Sequence, residues 1–168
     1  ELIESMRQRL LSGGAALPVE LSTLLEDFAK NNNMVEYDSE RGIVKFRSDL
    51  LFDRGSVKVA ATAVAAVKSL CEILNTDEGK EFDVLVAGHT DDMPIQRPST
   101  QEKHPTNWHL SVHRAISVLN VMKSNDVTPE RMSVRGFGEY RPIVPNEPNN
   151  KGNEQNRRVE IYIIAKGT

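Results

Sequence analysis

The chain has 168 residues, of which 27% are charged and 39% hydrophobic, with 21 Lys and Arg against 24 Asp and Glu for a formal net charge of -3. That balance fits one globular domain with an appendage, long enough for a proper core, and it excludes an electrostatic nucleic-acid binder, whose phosphate contacts need a clustered basic face. No run approaches the ~18 apolar residues of a membrane span and no signal peptide opens the chain; it begins at Glu1 rather than at a methionine and reads as a fragment whose anchor lies outside it.

In chain order, Ile3, Met6 and Leu10 lie at helical spacing, Gly13-Gly14 interrupts them, and Pro18 opens a second amphipathic run through Leu21, Leu24, Leu25 and Phe28 that ends at Asn31-Asn32-Asn33. These helices either pack on the domain behind them or form a linker or dimerisation segment, so residues 1–41 are set apart from a domain over 42–168. Ile43, Val44 and Phe46 mark a short strand. Ser56 is the expected N-cap of a helix over 57–75, whose stripe Val57, Ala60, Val64, Val67, Cys71 and Leu74 recurs at steps of three and four. Cys71, the single cysteine, falls inside that stripe and reads as a small buried hydrophobe; alone, it can form no internal disulfide.

Phe82-Asp83-Val84-Leu85-Val86-Ala87 reads as a buried strand that delivers Asp91 to the loop beyond its end. Strand, helix and strand in this order form a right-handed crossover with parallel strands. The same order repeats through a helix over 107–123, with a buried stripe of Trp108, Val112, Ala115, Leu119 and Met122, and a strand near 132–135. Residues 157–163 alternate as a last strand with one face on the core. The fold class is α+β, a mixed sheet with helices packed on it, preceded by a helical segment. Fifteen residues separate Asp91 from Asn107 and include Pro94, Pro98 and Pro105, which suits a stiff functional rim. The polar stretch 146–156 reads as a surface loop.

The chemistry gathers at Asp91 and at the start of the 107–123 helix. Offsets of three and four put Asn107, Leu110 and Arg114 on one helical face, so a carboxylate on a strand-end loop can face a guanidinium. Such a pair suits a zwitterion with ammonium and carboxylate on one carbon, the first held by Asp91 and the second clamped by Arg114; the alternative is a plain salt bridge tying loop to helix. Catalytic readings are weaker. His109 and His113 have the spacing of a metal pair, but Leu110 stands where a zincin has glutamate. Ser111, His113 and Asp91 name triad residue types without a nucleophile elbow, and Gly136-x-Gly138 is half a phosphate loop without its lysine.

Gly88-His89-Thr90-Asp91, then Asn107-x-x-Leu110-Ser111-x-x-Arg114-Ala115, then Gly136-Phe137-Gly138-Glu139 with Pro142, then Asn156-Arg157-Arg158-Val159-Glu160-Ile161 resemble, in the family's order, the OmpA-like peptidoglycan-binding domain, over about residues 42 to 165. Thr90-Asp91-Asp92 with Pro94-Ile95, Asn107-Trp108 and Arg141-Pro142-Ile143-Val144-Pro145-Asn146 are most similar to its flagellar stator branch, the MotB proteins; the loop before Asn107 is longer than usual there. The resemblance implies a β-α-β-α-β-β sheet and noncatalytic binding of peptidoglycan through the diaminopimelate of the stem peptide, anchoring a membrane protein, such as a motor stator, to the wall. It implies no cofactor and no metal, a periplasmic location, and a homodimer that could share the Leu21, Leu24, Leu25 and Phe28 face. By resemblance Thr90 and Asn107 support the site, Leu110 packs on the ligand's aliphatic chain, Phe52 and Asp53 line it, and Arg158 stands beside it unless Arg157 and Arg158 serve the sheet as ion pairs. The competing function is a metal-dependent cell-wall hydrolase.

Overall fold

The computed structural model describes residues 17–53 and 56–167, so the expected helix through Ile3, Met6 and Leu10 lies outside the described residues. The elements are α1 (Val19–Lys30), β1 (Val35–Asp38), β2 (Ile43–Arg47), a helical turn α2 (Ser48–Leu51), α3 (Ala61–Leu74), β3 (Phe82–His89), α4 (Pro98–Lys103), α5 (Asn107–Ser124), β4 (Met132–Gly136) and β5 (Arg158–Ala165). They build a five-stranded sheet in the order β1-β2-β5-β3-β4. β3 and β4 are its parallel pair, as the crossover through α5 requires, and β5 inserts antiparallel between β2 and β3. Alternation puts Val44, Phe46, Val84, Val86, Val159, Ile161 and Ile163 into one core with Leu21, Leu25, Val67, Leu70, Leu74, Ala115, Val118 and Met122 from the helices. Among the described residues, no helix is long and apolar enough to cross a membrane.

Helix α5 sits directly on the ends of the parallel pair. Gly88 and Gly136 are register partners; a Cβ on Gly88 would lie 1.9 Å from the Ser111 carbonyl, and one on Gly136 would lie 2.2 Å from Val112 Cγ2. Only glycine permits that approach, and it holds the start of α5 against the loop that carries Asp91.

The same contact corrects the expected stripe of α5. Ser111, Ala115, Val118 and Met122 are buried, Val112 and Leu119 only partly so, and Trp108 is half exposed, because Ser111 is the residue driven against the glycines. In the preceding helix, α3 begins at Ala61 with Ala60 at its N-cap. Ser56 instead accepts from Lys58 N at 2.9 Å, and an isolated bridge between Phe52 and Val59 brackets the turn before the helix. The buried face of α3 is therefore Ala63, Ala66, Val67, Leu70, Cys71 and Leu74, and Val57 and Ala60 precede it. Cys71 is buried as expected, and burial pushes its thiol up to about 12.

Residues 19–38, read on the sequence as part of a separate helical segment, join the same core. Val35–Asp38 is a strand on β2, and Leu21, Leu25 and Phe28 of α1 are buried within the chain. The apolar face expected to be shared between chains is thus used internally; only Leu24, 41% exposed, points outward. The proline-rich connection also contains one short helix, α4, rather than loop throughout.

Candidate functional site

Asp91 follows β3 by two residues, as the sequence implies. Thr90 fixes the approach: its backbone N–H donates to Gly138 O at 2.9 Å and its hydroxyl to Asp91 O at 2.9 Å. Asn107, the first residue of α5, donates from Nδ2 to the carbonyls of Asp91 at 3.3 Å and Met93 at 3.1 Å. Both residues therefore shape the backbone around Asp91. Its carboxylate is fully engaged: Oδ1 accepts from Met93 N at 3.1 Å, and Oδ2 from Arg157 Nη1 at 2.5 Å. Asp91 is only 4% exposed. Gly152, at φ +72°, lies across it so closely that a Cβ there would fall 2.1 Å from Asp91 Oδ2.

Arg114 stands two turns into α5 and is 8% exposed. Its guanidinium carbon sits 5.0 Å from the centroid of the Phe52 ring, a cation–π contact, and Nε donates to Ser56 O at 3.3 Å. Among the described residues its terminal nitrogens have no hydrogen-bond partner, and no carboxylate pairs with it. Burial pushes the guanidinium down to about 10; Asp49 and Asp91 pull it back through space, and Arg157 pushes it down further. The plain salt bridge between Asp91 and Arg114 is not formed. Asp91 has another partner, and Arg114 is left as a desolvated cation at the bottom of the site.

That partner is Arg157, and with Asp49 it was not among the expected site residues. Arg157 forks onto Asp49, Nε to Oδ1 at 2.9 Å and Nη2 to Oδ2 at 2.7 Å, while its third nitrogen takes Asp91. The Asp49 bonds raise its pKa most, against burial. Arg158 points the other way: it is buried and bonded to Glu160 at 3.0 Å and to the carbonyls of Asn156 and Arg141. Arg157 is the last residue before β5 and Arg158 its first; the sequence pattern did not say which of the two adjacent arginines faces this site. Leu110 is half-buried one turn before Arg114, and Asp53 is exposed at the bend before α3, its carboxylate without a partner among the described residues. The structure thus places Asp91, Asn107, Thr90, Arg114 and Phe52 around one site and Arg158 in a separate network.

The catalytic alternatives find no support in this geometry. His104 and His113 meet through their Nδ1 atoms at 2.6 Å, and His109 Nδ1 bonds Thr106 Oγ1 at 2.8 Å. Among the described residues no three His, Cys, Asp or Glu side chains are placed to hold a metal ion. Ser111 is fully buried; its hydroxyl donates to Trp108 O at 2.9 Å and accepts from Gly138 N at 3.0 Å, which ties α5 to the loop after β4.

Comparison with known proteins agrees with the fold. The OmpA family pattern matches residues 51–157. Motility protein B of Bacillus subtilis is 29% identical over 149 residues, covering 85% of this chain and 54% of that protein. The chain therefore spans about half the length of this curated relative. Among solved structures, the periplasmic domain of Helicobacter pylori MotB superimposes with a TM-score of 0.60 at 26% identity, covering 74% of this chain and 76% of that one. The cell wall anchor of the type VI secretion system from Pseudomonas aeruginosa superimposes with a TM-score of 0.70 at 27% identity, covering 87% of this chain and 97% of that one.

Proposed function

The chain belongs to the OmpA family, and from that premise we propose that it binds peptidoglycan without catalysis and anchors a membrane protein to the cell wall from the periplasmic side. Relatives described as a cell wall anchor and as periplasmic MotB domains support that reading. The ligand is the diaminopimelate of the stem peptide, read at its free amino-acid end. The observation that carries it is Arg114, a buried guanidinium whose terminal nitrogens have no hydrogen-bond partner and no ion-pair partner among the described residues. A native fold leaves such a charge unpaired where function requires it. A ligand carboxylate would take its terminal nitrogens bidentately. The ammonium would take Asp91, exchanging with Arg157 Nη1 while Arg157 keeps its fork on Asp49. Phe52 holds the guanidinium plane from behind, and Leu110 offers apolar surface to the ligand's chain.

Sedimentation with purified peptidoglycan and a thermal shift with free diaminopimelate test this. Asp91→Asn keeps the size and loses the ammonium partner; Arg114→Lys keeps the charge and loses the fork. Each is expected to lower wall affinity at least tenfold and to abolish the thermal shift, and amidating the ligand carboxylate should mimic the arginine change. Unchanged wall binding by both folded variants would remove the site. A stator role, suggested by the Motility protein B relative, is checked in the full-length gene product: an apolar helix bearing an aspartate upstream of residue 1 supports it, and a lipid-attachment cysteine there contradicts it.

A further inference from the structure

The proline-rich connection from Met93 to Thr106 leaves the loop of Asp91 and returns to the chain at Asn107. A single side chain along it is buried, His104, at 7% exposed. The rest of the segment is exposed or half-buried, and the bonds from Gln101 Nε2 to Ile95 O and from His104 N to Thr100 O tie it to itself. His104 reaches α5. Its Nδ1 lies 2.6 Å from Nδ1 of His113, and the ring centroids are 4.8 Å apart, about as far as that contact allows, so the two nitrogens meet head-on. An apolar side chain would make a permanent anchor at no loss of hydration, whereas an imidazole titrates close to neutral pH.

We propose that His104 and His113 form a proton-operated latch, which fastens the 93–106 segment to α5 at neutral pH and releases it on acidification. In the neutral pair one Nδ1–H donates, and the other ring, protonated at Nε2, accepts. A first added proton goes to the outer nitrogen of the donor ring and leaves the bond in place. A second must go to the accepting nitrogen, where it ends the bond and sets two cations against each other. The surroundings disfavour that second charge. Burial pushes His104 down first, then His113 and Arg114 of α5, Lys103 of α4 and His109 of α5, and no carboxylate is among them. The latch therefore stays shut through neutral pH and opens below the ordinary 6.5, where the freed imidazolium gains water. Release reaches the site through Met93, whose N–H holds Asp91 Oδ1 and whose carbonyl holds Asn107 Nδ2. That consequence rests on the wall-binding reading; the latch itself does not.

The latch is read without ligand. Hydrogen exchange over residues 97–104, corrected for the intrinsic pH dependence of exchange, should quicken about tenfold between about pH 7.5 and about pH 5. His104→Phe keeps a ring at the buried position without a titrating nitrogen, and its corrected exchange should stay flat. His113→Glu sets a carboxylate against His104 and should reverse the trend, tightening the segment as pH falls. A flat profile in the parent chain, or a rise that persists unchanged in both variants, would overturn the latch. Sedimentation with purified peptidoglycan then reads the coupling: wall affinity should fall on acidification in the parent chain and stay level in His104→Phe. An acid fall of equal size in both would overturn the coupling. Absence of wall binding at every pH would sink the wall-binding reading instead, and the exchange profile would still decide the latch.

Discussion

Two clusters of buried charge lie at the same end of the sheet, and their arrangement differs. Around β5, Arg158 bonds Glu160 and two carbonyls, and Tyr162 donates to Glu160 Oε1 at 3.0 Å. His89 Nε2 lies 3.1 Å from Glu160 but is misaligned for a hydrogen bond, and its ring stacks on Phe137 at 4.9 Å. Charge is matched there. Around α5, Asp49 and Asp91 both go to Arg157, and Arg114 is left with a ring face and one carbonyl. A matched network of this kind holds elements together; the other cluster is the one on which the proposed ligand site rests. Adjacent residues, Arg157 and Arg158, belong one to each cluster.

The sharpest way to break the comparison is to unbalance the matched cluster. Arg158→Met leaves Glu160 buried without its cation, and losing one partner of a buried pair costs about 3–5 kcal/mol. Urea denaturation should show that loss, with little change in wall affinity for the folded fraction. Acid should probe the same residue. Burial alone would push the Glu160 carboxyl up, but His89 and Arg158 outweigh it and hold it at about 2 against an ordinary 4.5. The unfolded chain takes up that proton first, so this stabilisation is complete above pH 4.5 and lost as pH falls toward 2.

Arg114→Met should behave in the opposite way. Removing a cation that burial already disfavours leaves stability unchanged or raised, while wall affinity falls by about 2 kcal/mol or more. A lowered melting temperature with intact binding would place Arg114 in the matched class.

The contrast between the clusters shows what the sequence makes legible. Strand β3 and helix α5 were readable nearly to the residue, because long apolar or periodic runs are local signals. The strand Val35–Asp38 was not: four residues with a single buried side chain have no period to display, and their strand character comes from pairing with β2. Asp91, Asn107 and Arg114 could be read together because they flank one crossover, whereas Thr90 was named only through the family resemblance. Asp49 and Arg157 were not, since they meet across the fold from opposite ends of the domain. Trp108 fitted an apolar period that the glycines at 88 and 136 overrule.

A smaller effect is expected where the polar loop closes over the site. In Gly152→Ala the new methyl cannot share space with Asp91 Oδ2, and φ +72° is unfavourable for alanine. The strap should lift, at a cost of about 1–2 kcal/mol in stability. If the strap only covers Asp91, diaminopimelate association should quicken in stopped-flow measurements. If its backbone also contacts the ligand, dissociation should quicken instead.

The smallest effect comes from two histidines, one on each side of the comparison. Burial lowers the pKa of His89, with Arg158 and Arg141 adding to the shift and Glu160 opposing it; burial also lowers that of His104, with His113, Arg114, Lys103 and His109 adding to it. In both cases the unfolded chain binds the proton first as pH falls through the ordinary 6.5, so stability declines below that value until the folded-state pKa is passed. Denaturation midpoints between about pH 7 and 5 should show the decline, and His89→Gln and His104→Gln should each remove part of it. The two parts separate on adding ligand. A carboxylate on Arg114 offsets a charge that disfavours protonation of His104, so diaminopimelate should flatten the slope in His89→Gln, where His104 remains. In His104→Gln, where only His89 remains among its matched partners, the slope should persist. Equal flattening in both variants would mean that the clusters share one field, and the division between them would fail.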